Sequence, residues 1–335
     1  MRRFTCLLVL LVAARSVAQE PSWVGKTIIT KRYGIKISKT DIADKNYVAE
    51  LVDSLYYDVK AEKGNKIQVV TSAGVEGWLD KTDAVLPENA IAHFSAVLLR
   101  DSKNAGALQK RAYAHELQGD LDSAMNDINA ALQLAPSDLG GWASRGNLFS
   151  ALKQHDRAII DYSIAVRFNP QFAAGFNNRG HAWSAKKEYD KAIADFDKAI
   201  SLDPKGPYAY CNRGLARFMK KEYVSAVNDL DDAQKLESKN SYVYLFRAKM
   251  MATSADPKFR NGKIAVEQAR KALALAKNPD REFHETLAAA HAEAGDFKEA
   301  IRMQERVIED LEDDVDEDAR ARLALYRRKM AYRQE

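Results

Sequence analysis

The chain has 335 residues, 46% hydrophobic and 29% charged, enough for two domains or for one domain and an array. Its formal charge is +4, and Arg2, Arg3 and Arg15 supply three of those positive charges; without them 48 basic residues face 47 acidic ones. That balance excludes a general attraction to nucleic acid.

The first residues read as an export signal. In "MRRFTCLLVLLVAARSVAQE", two arginines precede an apolar run from Phe4 to Ala14, and Ser16-Val17-Ala18 has the small residues of a cleavage site. The apolar run is far short of the ~20 residues that cross a bilayer as a helix. Residues 1–18 are therefore expected to be a signal peptide, and the protein to be exported, periplasmic or extracellular. Cys6 leaves with that segment, and Cys211 alone makes no internal disulfide, so stability must come from packing.

From Trp23 to Leu86 the pattern alternates. Tyr33, Ile35 and Ile37 form one set, Leu55, Tyr57 and Val59 a second, and Ile67, Val69 and Thr71 a third, each placing one strand face against a core. Lys63-Gly64-Asn65 and Ser72-Ala73-Gly74 supply turns. A small all-β barrel is expected over 23–86, marginal alone and propped by its neighbour. The stretch "IQVVTSAGVEGWLDKTDAVL", with Gly77-Trp78-Leu79, resembles the Src-homology-3-like domains of secreted bacterial proteins. The resemblance implies binding of peptides or cell-wall peptides, through stacking on Trp78 and Tyr56; the alternative is that Trp78 plugs the barrel or packs on the first helix.

From Pro87 to about Asp310 the sequence repeats. Arg145-Gly146, Arg179-Gly180 and Arg213-Gly214 are spaced by 34 residues, and Arg111-Ala112 and Arg247-Ala248 extend the series. Alanines 124, 158, 192 and 226, aspartates 127, 161, 195 and 229, and prolines 136, 170 and 204 keep the same step. Units fall at 105–138, 139–172, 173–206 and 207–240, then 241–279 with a five-residue insertion, and a sixth from about Pro279 to Asp310. The stretch "ENAIAHFSAVLLRDSKN" ahead of them reads as a second helix without its first. Each unit holds two amphipathic stretches, a helical hairpin that buries its apolar stripe only by stacking on its neighbours. Glycine inside a helix costs about 1 kcal/mol relative to alanine, so its recurrence at one phase implies close helix approach there. The recurring Arg has a recurring Asp sixteen residues later or eighteen before it, and a ladder of such pairs is expected to fix helix register.

These marks resemble the tetratricopeptide repeat (TPR) family, with Trp142, Phe176, Tyr210 and Tyr244 at its bulky site; Leu108 and His284 depart from it. The resemblance implies a mainly α fold, a right-handed TPR superhelix (α-solenoid) after the β-barrel, whose first helices line a concave groove. Carried over unit by unit, the groove positions are Ala143, Asn147 and Ser150; Asn177, His181 and Ser184; Tyr208, Cys211, Leu215, Phe218 and Met219; and Tyr242, Leu245 and Lys249. Asparagines are expected to hold an extended peptide backbone, and Tyr208, Phe218 and Leu245 an apolar anchor, unless these aromatics pack between repeats. The lysine that begins the family's carboxylate clamp is replaced by Gln109, Ala143 and Asn177, so recognition of terminal carboxylates is not expected.

The last segment, 311–335, reads as a capping helix over 316–334 with Leu323, Tyr326 and Met330 on one face; a segment folding back into the groove is the alternative. The acidic run from Glu309 to Asp318 lacks the central glycine of a calcium loop. The six histidines include no i, i+3 or i, i+4 pair, and no nucleophile elbow, phosphate loop or zinc-protease motif occurs. Neither metal, cofactor nor enzymatic activity is expected. The leading expectation is a non-catalytic scaffold of the cell envelope that holds a protein or peptide partner; the alternative is a peptidoglycan-associated module whose barrel binds the wall and whose array recruits an enzyme.

Overall fold

The computed structural model describes residues 22–31, 35–39, 47–51, 56–70, 75–309 and 317–334. The expected signal peptide and most of the acidic run lie outside the described residues, as does the side chain of Tyr56. The chain divides into two compact units, Met1–Asp127 and Ile128–Glu335. No helix among the described residues is long and apolar enough to cross a membrane.

In the first unit β1 (Thr27–Thr30), β2 (Ile35–Ser38), β3 (Tyr47–Leu51), β4 (Tyr56–Lys63), β5 (Lys66–Val70), β6 (Glu76–Asp80) and β7 (Ala84–Val85) form one antiparallel sheet, ordered β3-β2-β6-β5-β4-β1-β7. Its core holds Ile35, Ile37, Tyr57, Val59, Ile67, Val69 and Leu79, the inward set of the alternating runs. Trp78 points the other way from Leu79 and is half-buried outside that core, so it does not plug the barrel. β1 escapes the alternation rule because Ile28, Ile29 and Thr30 are all buried. The sheet core takes Ile28, while Thr30 accepts a 3.0 Å hydrogen bond from Lys110 Nζ.

Lys110 belongs to α2 (Ala105–Leu117), which follows α1 (Pro87–Arg100). α1 buries Ala90, Phe94 and Leu98, as a second helix without its first must. On α2, Gln109, Lys110 and Ala114 are buried as well as Leu108 and Ala112, so this first hairpin has little of its inner face open. Burial disfavours the ammonium and lowers the pKa of Lys110 to about 8.

The remaining helices are α3 (Leu121–Leu134), α4 (Leu139–Ala151), α5 (His155–Phe168), α6 (Ala173–Ala185), α7 (Tyr189–Leu202), α8 (Pro207–Met219), α9 (Tyr223–Leu236), α10 (Ser241–Thr253), α11 (Gly262–Leu275), α12 (Arg281–Glu293), α13 (Phe297–Glu309) and α14 (Glu317–Arg327). In the second unit each first helix (α4, α6, α8, α10, α12) packs on its own second helix, and α4, α6, α8 and α10 each touch the next first helix. No comparable contact joins α5 to α7, α7 to α9 or α9 to α11. The first helices therefore form the tighter, inner row, and the surface curves inward along them.

Aromatic side chains explain two of the recurring glycines. A β-carbon on Gly146 would lie 2.7 Å from the Tyr162 ring, and one on Gly180 would lie 2.7 Å from Phe196. At Gly214 the nearest neighbours are the Ala226 carbonyl and the Asp229 Cβ, both at 3.3 Å, so the second helix's backbone itself comes close. The inserted residues of the fifth unit form a 3-10 turn, Pro257–Phe259, that puts Phe259 against Tyr223 with ring centroids 4.9 Å apart.

The Arg–Asp ladder is present and has a further arm. Arg111, Arg145, Arg179 and Arg213 each donate Nε and Nη2 to the aspartate sixteen residues later, Asp127, Asp161, Asp195 and Asp229, at 2.6–3.2 Å. Nη1 reaches sixteen residues back, to Ser95, Asn129, Ser163 and Asp197. One guanidinium thus ties the second helix of its own unit to that of the unit before. With the five-residue insertion, Gln268 stands where the later aspartate of Arg247 would, and Arg247 keeps the backward arm, to Asp231.

Turns within the hairpins also repeat. Lys153, Lys187 and Lys221 adopt positive φ (57°, 61° and 64°), a region costly for any side chain with a β-carbon. Gly119 and Gly295 take the corresponding place in the first and last hairpins.

The expected helix over 316–334 stops at Arg327. Lys329 turns left-handed (φ 58°) while its N–H bonds Tyr326 O and that of Met330 bonds Leu325 O, the paired bonds of a Schellman stop. Tyr326 is fully buried against Ala288, Ala292 and Ala300, but Met330 sits on the turn, 46% exposed, and leaves the apolar face assigned to it.

Asp229 holds both Arg213 and Arg217 while its own side chain is only 3% exposed. Asp229→Ala should strand Arg217, leave Arg213 with Asp197 alone and cost about 3 kcal/mol, seen as lost hydrogen-exchange protection in α8 and α9. Asp197→Ala, at a half-exposed partner of Arg213, should cost under about 1 kcal/mol by the same measurement. For Lys110 the sign follows from its depressed pKa: between pH 8 and about 10.4 the unfolded chain holds a proton that the folded chain has released. Protection of β1 and α2 should rise with pH across that window, by about 1.4 kcal/mol per unit at most, and the rise should vanish in Lys110→Met.

Candidate functional site

The inner row of the second unit carries a cavity of about 420 Å³ lined by Asn147, Ser150, Ala151, Tyr162, Asn177, Asn178, His181 and Asn212. Three consecutive first helices, α4, α6 and α8, build it. Helical spacing puts Asn147, Ser150 and Ala151 on one face of α4, and Asn177, Asn178 and His181 on the corresponding face of α6.

A chain of carboxamides joins the three helices. Tyr162 Oη and Asn178 Nδ2 both donate to Asn147 Oδ1, at 2.7 and 3.2 Å. Asn177 Nδ2 donates to Asn178 Oδ1 at 3.3 Å, and Asn212 Nδ2 donates to Asn177 Oδ1 at 3.0 Å. These bonds use the oxygens of Asn147, Asn177 and Asn178 as acceptors. Each amide nitrogen carries two N–H donors, and the chain uses one on Asn177, Asn178 and Asn212 and neither on Asn147. The cavity wall is therefore rich in N–H donors and suits carbonyl oxygens.

His181 is exposed on this wall, yet the surrounding groove desolvates its ring and lowers its pKa; the positive charge of His155 acts the same way, against a smaller opposing pull from Glu282. The imidazole is held neutral near pH 7, so the wall presents neutral donors rather than a fixed cation.

The structure brings Asn147, Asn177 and His181 together with Ser150 in this cavity, and the other expected site residues do not line it. Tyr208 is 55% exposed on α8 and Tyr242 is 39% exposed on α10, where it meets Phe246 and Phe283 at ring-centroid distances of 5.9 and 5.6 Å. Lys249 donates to Glu282 at 2.6 Å. Leu245 is 0% exposed in the core with Val243, Phe246 and Phe283, and Phe218 is 4% exposed against Ala226 and Met250. Neither can wall a pocket, and Leu215 fills the space between these two clusters. The expected apolar anchor site is thus corrected to repeat-to-repeat packing: Met250 of the fifth unit packs on Phe218, and Phe283 of the sixth on Leu245. Cys211 is buried, and burial raises its thiol to about 12, which makes it a packing residue.

Asn178, Asn212 and Tyr162 escaped the sequence reading. Asn178 and Asn212 are separated by the repeat length and could have been found from that phase alone. Tyr162 sits in a second helix, 2% exposed, and only its hydroxyl reaches the inner row. Among the described residues no group of three or more His, Cys, Asp or Glu side chains is placed to hold a metal ion.

Stacked hairpins with a tight inner row define an α-solenoid. Two stretches match tetratricopeptide patterns: residues 86–138 the one described as tetratricopeptide repeat, and residues 184–221 the one described as TPR repeat. The fold is similar to a tetratricopeptide repeat protein from Parabacteroides merdae (TM-score 0.58, 16% identity, 72% of this chain and 92% of that one). It is similar also to the APC/C hetero-tetramer Cut9-Hcn1 (TM-score 0.58, 16% identity, 72% of this chain and 46% of that one). MamA shares 25% identity over 46% of this chain and 90% of its own, with a TM-score of 0.42. No curated protein matches.

Proposed function

We propose that the protein is a non-catalytic scaffold whose inner row holds an extended peptide segment of a protein partner. The observation that carries this reading is the asparagine chain across α4, α6 and α8. An extended peptide offers a carbonyl oxygen at each residue, and a donor-lined wall spread over three units meets several at once. The neutral His181 and the absence of the clamp lysine at Gln109, Ala143 and Asn177 favour main-chain carbonyls over a terminal carboxylate. The leader-like first residues support an exported protein working in a bacterial envelope.

The β unit is read as Src-homology-3-like, supported by the run β7-β1-β4-β5-β6 of antiparallel neighbours and by Gly77, whose β-carbon would overlap Ile37 at 2.6 Å. One observation favours a second function there: Trp78 lies partly buried on the outer side of β6, outside the sheet core. In that reading the first unit binds cell-wall peptides and the array recruits an enzyme.

Asn177→Ala with Asn212→Ala in one chain should weaken capture of an extended partner peptide at least tenfold with helicity unchanged, measured by peptide-array binding followed by calorimetry on the hits. Equal binding by wild type and variant would remove the asparagine chain from recognition. Sedimentation of the full chain with purified cell wall should be lost in Trp78→Ala if the second reading holds; retention by both, or by neither, rules out this tryptophan as the wall contact.

A further inference from the structure

The segment after α14 does not leave the molecule. It turns back at Lys329, and residues 331–334 are half-buried along the ends of two first helices. Gln334 N–H donates to Thr253 O at 2.8 Å, and Arg333 Nη1 donates to Ala252 O at 3.4 Å, both carbonyls from the last turn of α10. Arg333 Nη2 pairs with Glu293 Oε2 at 2.7 Å, at the end of α12. Tyr332 and Ala331 pack on the cluster of Ala288, Ala292, Ala300 and Tyr326, and the Arg322 guanidinium lies over the Tyr332 ring, 5.8 Å from its centroid.

The surface under this segment is built rather than incidental. Glu293 has a side chain only 13% exposed and is gripped from its other oxygen by Arg260 Nε at 3.2 Å. Arg260 comes from the stretch that carries the five-residue insertion and is fixed by the carbonyls of Ser254 and Ala255. The insertion, absent from the regular units, thus presents a carboxylate with one oxygen left for a second arginine. Helix-end carbonyls at Ala252 and Thr253 carry the partial negative charge of a helix C-terminus, which suits a cation beside them.

We infer that the ends of α10 and α12 form a peptide-docking ledge, occupied in cis by residues 331–334, whose preferred ligand is an extended segment with an aromatic residue followed by arginine. The aromatic side chain covers the alanine patch, the arginine bridges Glu293 and a helix-end carbonyl, and the next backbone N–H adds to Thr253 O. This ledge is distinct from the asparagine cavity and does not depend on it. A partner segment of the same chemistry must displace the chain's own. Because the tether is short, the resident segment acts at an effective concentration on the order of millimolar, so it gates the ledge.

The test uses full-length chains and a fluorescein-labelled peptide with the sequence of residues 328–335. Tyr332→Ala with Arg333→Ala frees the ledge, and this variant should bind the peptide at least tenfold more tightly than wild type by anisotropy. Adding Glu293→Gln should return binding to the wild-type level, and a peptide lacking the tyrosine and the arginine should not bind. Arg333→Gln alone serves as the second variant should the double substitution reduce helicity, with hydrogen exchange at the Gln334 amide reporting release of the segment. Equal binding to wild type and freed variant overturns the proposal, as does no binding to a freed variant of unchanged circular dichroism. A wild-type dimer that dissociates in the freed variant overturns the cis assignment.

Discussion

One guanidinium per hairpin, held by an aspartate in the same hairpin and by a polar side chain in the one before, is the constraint on which the array rests. Apolar contact between helices is non-directional and would allow one hairpin to slide against the next. An arginine with two planar bonds to Asp161 or Asp195 and a third arm to Asn129 or Ser163 allows one register. The pairs are partly buried, so their net contribution to stability is small while breaking one side is costly. They specify position more than they add strength.

Register then decides what the inner row can offer. Asn178 reaches Asn147 and Asn212 reaches Asn177 only because successive first helices are offset by a fixed step. The same offset puts Phe196 over Gly180 and Tyr162 over Gly146, and Tyr162 passes through that gap to place its hydroxyl on Asn147. A glycine chosen for packing thereby helps orient a carboxamide at the cavity. The left-handed lysines at 153, 187 and 221 show the reverse priority. Glycine stands at the equivalent turn of the first and last hairpins, and the second, third and fourth keep the same backbone shape despite a strained side chain; only the fifth, with its insertion, departs from it.

Much of this was legible in the sequence because repetition multiplies weak signals. A single Arg-Gly pair means little, whereas five arginines in step, with four aspartates following sixteen residues behind, predicted the ladder found between α2 and α9. The alternating strands β2, β4, β5 and β6 were legible for a similar reason, since one face of each is buried. β1 was not, because burial on both sides erases the alternation. The groove was harder. Position within a repeat says which way a side chain points, and it put Asn147, Asn177 and His181 on the inner row, where all three line one cavity. It could not say whether the next unit covers that side chain, and Leu245 and Phe218 are covered. Breaks in the period were the least legible: the five-residue insertion reads as a loop, but its Arg260 ends up holding Glu293.

The two ends of the inner row therefore differ in chemistry as well as in sequence. Around α4, α6 and α8 the wall is made of neutral N–H donors, and its one imidazole is kept uncharged by desolvation. At the ends of α10 and α12 the surface offers acceptors instead, two helix-end carbonyls and a carboxylate. A donor wall discriminates poorly among side chains, because every residue of an extended peptide presents the same carbonyl. An acceptor ledge with one open carboxylate oxygen selects for a cation at a defined place. In the proposed reading, specificity belongs to the ledge and reach along the chain to the asparagines, so the segment after α14, seated at the ledge, is better placed to control binding than one lying in the cavity.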